Sequence, residues 1–329
     1  PRLNGRGITL DSLARAYRPA VSARSPLGSN VPGITSELLD RTFEPYVLET
    51  LDGDDPRWRE RVARIEETPP GPSRVRSKGM TSEGERTTAG VASHYDELWS
   101  AISLDEALHG PHTSWFEWRH RGVQARTIGL KRVFQLYLMR VLEWLRPASV
   151  TEVGFGWGLN LLTLSVQCPD VRFGGVELTD AGVRTARALA ADARTPDLLR
   201  EFVVDEVRDV SALQRLDLRQ GSAEALPLAD RSVDMVITVL ALEQMNRIRE
   251  SALREIARVA RRHVVMIEPF RDWNEDGHRR EHIRRNDYWS AAIDDLPAFG
   301  LTPIVATADV PQKLKFHTGI VVAEVSGGR

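Results

Sequence analysis

Glycine stands at every second position of Gly154-Phe155-Gly156-Trp157-Gly158, directly after the apolar run Val150-Thr151-Glu152-Val153, and the next apolar run ends in Glu177. Glycines so spaced let the backbone turn sharply and let a ligand approach the main chain with no Cβ atoms in the way. A carboxylate about 20 residues further on, at the end of the following strand, has the reach to hold two ribose hydroxyls. Strand, glycine turn, helix, strand and acid, in that order, are the layout of a nucleotide-type cofactor site. A dinucleotide fingerprint needs a glycine at position 159, where this chain has Leu159, so pyrophosphate is not the favoured ligand.

The chemistry on an acceptor must come from other segments. After the apolar run 233–240 stand Leu242-Glu243-Gln244-Met245. Glu243 is a general base if burial raises its pKa, or a plain polar cap on the next helix. After the run 263–267 comes the richest polar and aromatic stretch, with Arg271, Trp273, His278, Arg279, His282 and Tyr288. Its position makes it a lid over the site. Paired guanidinium donors there suit a carboxylate or phosphate on a substrate, although the interleaved Asp and Glu can satisfy the same arginines on a solvated face. His278 and His282 lie four apart, a spacing that suits a metal, but no third ligand stands near and no metal is expected. Tyr95 and Trp99 are also four apart, either the apolar face of a helix or aromatic cover for the cofactor, with His94 beside them as another candidate base. Trp115 opens the aromatic and basic cluster 115–121, which reads as a loop with anchoring aromatics or as a wall of the substrate site.

These residues need a scaffold. Short β-branched runs at 150–153, 171–176, 216–218, 233–240 and 263–267 alternate with helical patterns at 159–166, 181–193 and 248–260. That predicts a parallel sheet covered on both faces. The stretch 127–145 has helical spacing and packs on the sheet before its first strand. Two amphipathic stretches, 36–51 and 56–67, read as short helices. Residues 1–35 are rich in Gly, Pro, Ser and Arg, and 68–88 form a polar Pro/Gly connector. The chain thus divides near residue 90, into an N-terminal extension of 1–90 that serves as substrate cover or oligomer arm, and a cofactor-site domain of 91–329 with a lid at 270–290.

Composition narrows the classes. The 329 residues hold 44 basic against 46 acidic groups, a net charge of −2 that supplies no field for nucleic acid. Cys168 is the single cysteine, which excludes an intrachain disulfide framework and reads as a packing residue. With no run of about 18 apolar residues and no signal-peptide pattern, a soluble cytoplasmic protein, monomeric or homodimeric, is expected, with no membrane partner.

Glu152, Gly154, Gly156 and Gly158 match, position by position, the acid-x-G-x-G-x-G motif I of the class I S-adenosylmethionine (SAM) methyltransferases. The segment Gln220-Gly221-Ser222-Ala223-Glu224-Ala225-Leu226-Pro227-Leu228-Ala229-Asp230-Arg231-Ser232-Val233-Asp234 resembles the family's next signature, and 91–99 resembles the leading helix of its small-molecule, UbiE-like members. The resemblance runs from about 91 to 325. It implies an α/β, Rossmann-like, doubly wound and mostly parallel seven-stranded sheet whose last strand is antiparallel, here with an N-terminal helical and irregular extension. It implies SAM as cofactor, with Glu152 near its methionine end, Glu177 on the ribose, and Ser222, Ala223 and Leu240 lining the rest. Ser222 departs from the usual Asp that accepts a hydrogen bond from the adenine amino group, which leaves a weaker neutral bond. The His pair common after the fourth strand is missing as well. The implied activity is in-line methyl transfer to an oxygen or nitrogen of a small-molecule acceptor, anionic if the lid arginines bind it. Transfer of the 3-amino-3-carboxypropyl group of SAM is the alternative. A nucleic-acid methyltransferase lacks its Asn-Pro-Pro-Tyr or Pro-Cys signature here, and a non-catalytic SAM-binding protein is the remaining class.

Overall fold

The structure, a computed structural model, describes residues 27–67, 86–275 and 277–327. Helix α1 (Ser36–Phe43) starts where the Thr35 hydroxyl accepts the Leu38 N–H at 3.2 Å, and it buries Leu39 and Phe43. The 36–51 stretch is not one helix, as its amphipathic pattern suggested. Pro45 has no N–H to continue the helical ladder, and Val47–Leu51 leave as strand β1. Helix α2 (Pro56–Glu67) begins with proline, which needs no N–H there. Helix α3 (Thr88–Ser100) is capped by Thr87, and the short α4 (Leu104–His109) by Ser103.

The cluster 115–121 is not a loop. It belongs to a hairpin of β2 (Thr113–Trp118) and β3 (Arg121–Arg126), whose tip, Arg119-His120, has both φ angles positive, at 52° and 63°. Two-residue hairpins favour that left-handed pair and normally use Asn or Gly for it. Here Arg119 is held in place by ion pairs to Asp40 (3.0 Å) and Asp309 (2.6 Å), with its guanidinium 3.9 Å over Trp118. Strand β1 pairs with β3, and the two-residue β10 (Gln312–Lys313) pairs with β2, which completes an antiparallel sheet β1-β3-β2-β10.

Helix α5 (Ile128–Leu145) is apolar on most sides and lies between this small sheet and the main one. In chain order the main fold then runs through β4 (Ser149–Val153), α6 (Leu159–Gln167), β5 (Arg172–Glu177), α7 (Asp180–Ala191), α8 (Thr195–Phe202), β6 (Asp217–Gln220), β7 (Val233–Val239), α9 (Arg249–Val259), β8 (Ala260–Glu268), α10 (Gly277–Arg285), β9 (Leu301–Thr307) and β11 (Gly319–Val325). The sheet order is β6-β5-β4-β7-β8-β11-β9. Strands β6, β5, β4, β7 and β8 run parallel, while β11 is antiparallel to both β8 and β9. Every residue of β4 and β7 is buried, as central strands covered on both faces are. One core joins Phe43, Phe116, Phe134 and Tyr137 to Val150 and Ile237, and a second, on the opposite face, joins Val153 and Val236 to Leu253 and Ile256. This is the doubly wound α/β sheet that the alternation of runs implied. The small sheet on top of it was not foreseen. Among the described residues, no helix is long and apolar enough to cross a membrane.

Candidate active site

In an open α/β sheet, ligands sit beyond the carboxyl ends of the strands, where the strand order reverses. Here that place lies between β4 and its two neighbours, β5 and β7. The chain leaves β4 through Gly154 (φ +74°) and Gly156 (φ +56°), backbone conformations that side chains rarely adopt. Space forbids a side chain too: a Cβ on Gly154 would stand 2.6 Å from the Ala241 Cβ, and one on Gly156 3.0 Å from the Trp99 ring. Gly158 lies behind the turn, against Ala186.

The Gly156 N–H donates to Glu177 Oε2 at 2.9 Å, and Thr179 donates to Oε1 through its N–H (3.0 Å) and hydroxyl (2.8 Å). The Glu177 carboxylate is thereby fixed at the end of β5 with lone pairs left for a ligand. Glu152, at the end of β4, is 1% exposed. Its Oε1 accepts from Asn160 at 2.6 Å, Asn160 Oδ1 accepts from Gln135 at 2.6 Å, and Gln135 Oε1 accepts from Thr163 at 2.7 Å. Glu152 Oε2 has no partner among the described residues, and burial pushes its carboxyl up to about 8. A buried carboxylate with one oxygen orphaned is a site waiting for a donor or a cation.

At the end of β7, Leu240 has φ +52°, a strained conformation for a branched side chain. The next turn is hung on Glu268, the last residue of β8. Its Oε1 accepts the N–H groups of Ala241 (3.0 Å) and Leu242 (3.1 Å), and its Oε2 accepts that of Glu243 (3.3 Å). This holds the Glu243 side chain toward a cavity of about 650 Å³. Gln244 donates to Glu243 Oε1 at 2.8 Å, Oε2 is buried without a partner, and burial raises the carboxyl above its usual range.

The cavity brings together Glu152, Gly154, Gly156, Glu177, Ser222, Ala223, Leu240 and Glu243 with Tyr95 and Trp99, whose rings stack at 5.2 Å. Ser222 Oγ already accepts from the Glu224 N–H at 3.2 Å, so toward a ligand it is chiefly a donor. Helix α3 is clamped over the turn by two bonds to α7, Ala181 N–H to Asp96 (3.0 Å) and Thr185 hydroxyl to Trp99 O (3.0 Å).

Other candidate residues stand outside this lining. Trp115 faces Trp58 at 6.0 Å on the small sheet. Arg271 is half-exposed beside Asp295, and Trp273 packs edge-on against Phe270. Arg279 lies 3.7 Å from Glu117, and the His278 Nε2 is bonded to Leu314 O at 2.8 Å. His94 meets the edge of Tyr95, while Tyr288 lies buried under Arg86. Among the described residues, no group of three or more His, Cys, Asp or Glu is placed to hold a metal ion.

Four cations that sequence reasoning passed over do line the cavity: Arg86, Arg247, Lys131 in the first turn of α5, and Lys313 in β10. Burial draws Lys131 down to about 8 and lowers Lys313 as well. The available signal was slight, a lone charge pair, Lys131-Arg132, inside an otherwise apolar helix start.

Residues 151–267 match a family model described as a methyltransferase domain. The chain carries a methyltransferase domain. Among curated proteins none matches the sequence. Solved structures similar to this chain include geranyl diphosphate C-methyltransferase from Streptomyces coelicolor A3(2), at 10% identity and a TM-score of 0.45, covering 70% of this chain and 98% of that one. Another is magnesium protoporphyrin IX methyltransferase from Synechocystis PCC 6803, with SAM bound, at 13% identity and a TM-score of 0.44, covering 71% and 97%. SAM is the cofactor of the methyltransferase domain. The residues present fit it: a cradle that a Cβ would fill, a fixed carboxylate at the end of β5, and an orphaned carboxylate oxygen for the cationic methionine end.

Proposed function

We propose that this methyltransferase moves a methyl group from SAM to an oxygen or nitrogen of a small molecule. One observation carries the reading: a single cavity is lined by both the glycine turn and Glu243, a carboxyl that burial raises above its usual range. When bound, SAM supplies a methyl already activated by its sulfonium, so the protein's work is to align a nucleophile and exclude water.

In this reading Glu177 accepts the ribose hydroxyls, and Glu152 faces the methionine end. Ser222, Ala223 and Leu240 border the nucleoside, with the main chain at Gly154 and Gly156 against it. Tyr95 and Trp99 close over the cofactor. Glu243, aimed by Glu268, takes the proton from the acceptor as the new bond forms. His94 and His278, outside the lining, are left with structural roles. The segment 270–290 is tied to the acceptor side by the Trp289 backbone N–H, which donates to Glu243 O at 3.1 Å.

Incubation with SAM and a panel of phenols, amines and acids, followed by mass spectrometry, tests this. A methylated product with S-adenosylhomocysteine left over is the expected result. Methylthioadenosine as the leftover would instead mean 3-amino-3-carboxypropyl transfer, and no SAM binding by calorimetry would remove the reading altogether.

A further inference from the structure

Lys131 from helix α5 and Lys313 from strand β10 both line the cavity, and neither ammonium makes a hydrogen bond or an ion pair among the described residues, although Lys313 Nζ lies 5.5 Å over the Phe316 ring. A half-buried amine with no anionic or hydrogen-bonding partner is costly, and proteins rarely keep two such groups on one cavity without use for them. The lid arginines are different. Arg279 sits by Glu117, Arg271 by Asp295, and Arg284 and Arg285 both hold Glu281. Arg86 and Arg247 in the cavity rim share Asp287, through the backbone of the one and the side chain of the other.

The charges facing the two lysines leave a deficit. Glu152, Glu243 and Glu268 act on Lys131, and Glu243 acts on Lys313. Glu268 is engaged by three backbone N–H groups, and Glu152 faces the cofactor end. Glu243 alone remains for two ammonium groups, and a cationic sulfonium adds a third positive charge when the cofactor binds. An anion brought by the acceptor closes the balance.

We propose that the acceptor is an organic acid whose oxyanion, a carboxylate or an ionised hydroxyl, is held between Lys131 and Lys313. This rests on the methyl-transfer reading above for the place of the cofactor. The lysines fix the acid so that a neighbouring nucleophile faces the sulfonium, and they select against neutral isosteres, which would leave both ammonium groups unpaired. The anion site is thus inside the cavity and not under the lid arginines.

The test uses the whole chain saturated with S-adenosylhomocysteine, titrated in a calorimeter with benzoate, phenol, 4-hydroxybenzoate and benzamide. Benzoate or 4-hydroxybenzoate should bind about tenfold or more tighter than benzamide, the yield of one charge-assisted contact. The phenol arm, raised in pH, tells a phenolate site from a carboxylate site. Lys313→Met and Lys131→Met should each abolish that preference, whereas Lys315→Met, an exposed neighbour, should keep it. Equal binding of acid and amide, or no binding of any probe, overturns the proposal even if the variants fail to fold. So does a Lys131→Met variant that loses SAM affinity and keeps the benzoate preference, because Lys131 would then serve the cofactor's own carboxylate. Failure to bind S-adenosylhomocysteine sinks the methyl-transfer reading instead, and the acid preference is then read on the protein alone.

Discussion

The guanidinium of Arg86 lies 4.6 Å over the ring of Tyr288, joining the start of the α3 cover to the segment that follows α10. The same side chain donates through Nε to Asn286 O at 2.7 Å and through Nη1 to Gln244, next to Glu243, while the Arg86 N–H donates to Asp287 at 3.0 Å. One residue therefore ties the start of α3, the segment after α10 and the turn that carries Glu243.

Replacing Arg86 by Ala should loosen all three at once. Loss of a buried cation–π contact and two side-chain hydrogen bonds is worth roughly 1–3 kcal/mol. Amide exchange across 277–290 should accelerate on the order of tenfold, by hydrogen–deuterium exchange and mass spectrometry. Arg86→Lys should recover little, because lysine has no planar fork to reach Asn286 and Gln244 together. Unchanged exchange in Arg86→Ala would show that the lid is held by its own core of Tyr288, Ile283 and Phe316.

Glu152 makes cofactor binding depend on pH. Burial pushes its carboxyl up to about 8, so in the free protein at neutral pH the protonated form prevails. A cationic ligand favours the ionised form and so expels the proton on binding. SAM affinity should then rise with pH below about 8, by at most about one log unit per pH unit, and level off above it. Calorimetry in two buffers of different ionisation enthalpy reads the released proton directly. Glu152→Gln should bind more weakly with a flat profile, and buffer-independent heats in the wild type would refute the assignment.

The chain Thr163, Gln135, Asn160, Glu152 predicts how a neighbour of Glu152 controls the site through that carboxyl. Asn160→Ala leaves Glu152 without its one hydrogen bond and Gln135 without its acceptor, a stability loss of about 1–3 kcal/mol. With that bond gone the Glu152 carboxyl is harder still to ionise, so SAM binding should suffer more at neutral than at alkaline pH. Urea melts and SAM titrations at two pH values check both parts, and a uniform loss across pH would speak for packing alone.

Gly154→Ala should fail in two ways. The methyl must occupy a left-handed backbone and press on the Ala241 Cβ, a combined cost of about 2–5 kcal/mol. Because Ala241 is bonded to Glu268, the strain passes into the turn that carries Glu243. The companion change Ala241→Gly should restore part of the stability, seen as a recovered Tm. No recovery would mean that backbone strain, and not the close approach, sets the cost.

Local signals made the donor half of the molecule legible. The β4 to β5 unit announces itself because glycines and apolar runs act within a few residues of where they stand. The small sheet was hidden for a physical reason. Its hairpin tip, Arg119-His120, uses ion pairs with Asp40 and Asp309 where a turn would normally show Asn-Gly, and such partners lie far off in sequence. Strand β1 was masked by the helical period of 36–43 running into it. The cavity lysines were illegible for the same kind of reason. Periodicity cannot tell Lys131 facing a cavity from a lysine facing water, since the wall opposite it comes from β10 and from the turn after β7.

Strand β10 is held to β2 through Gln312 opposite Glu117 and Lys313 opposite Phe116. A ribosome delivers the glycine turn and Glu177 long before it delivers this pair. A nascent or clipped chain that holds all of 151–267 therefore has the donor half but not Lys313, nor β11 between β8 and β9. Long-range pairing of this kind forms late in folding. The consequence is an order of assembly: the strand pair that brings Lys313 to the cavity wall can form only after the glycine turn and Glu177 have been made.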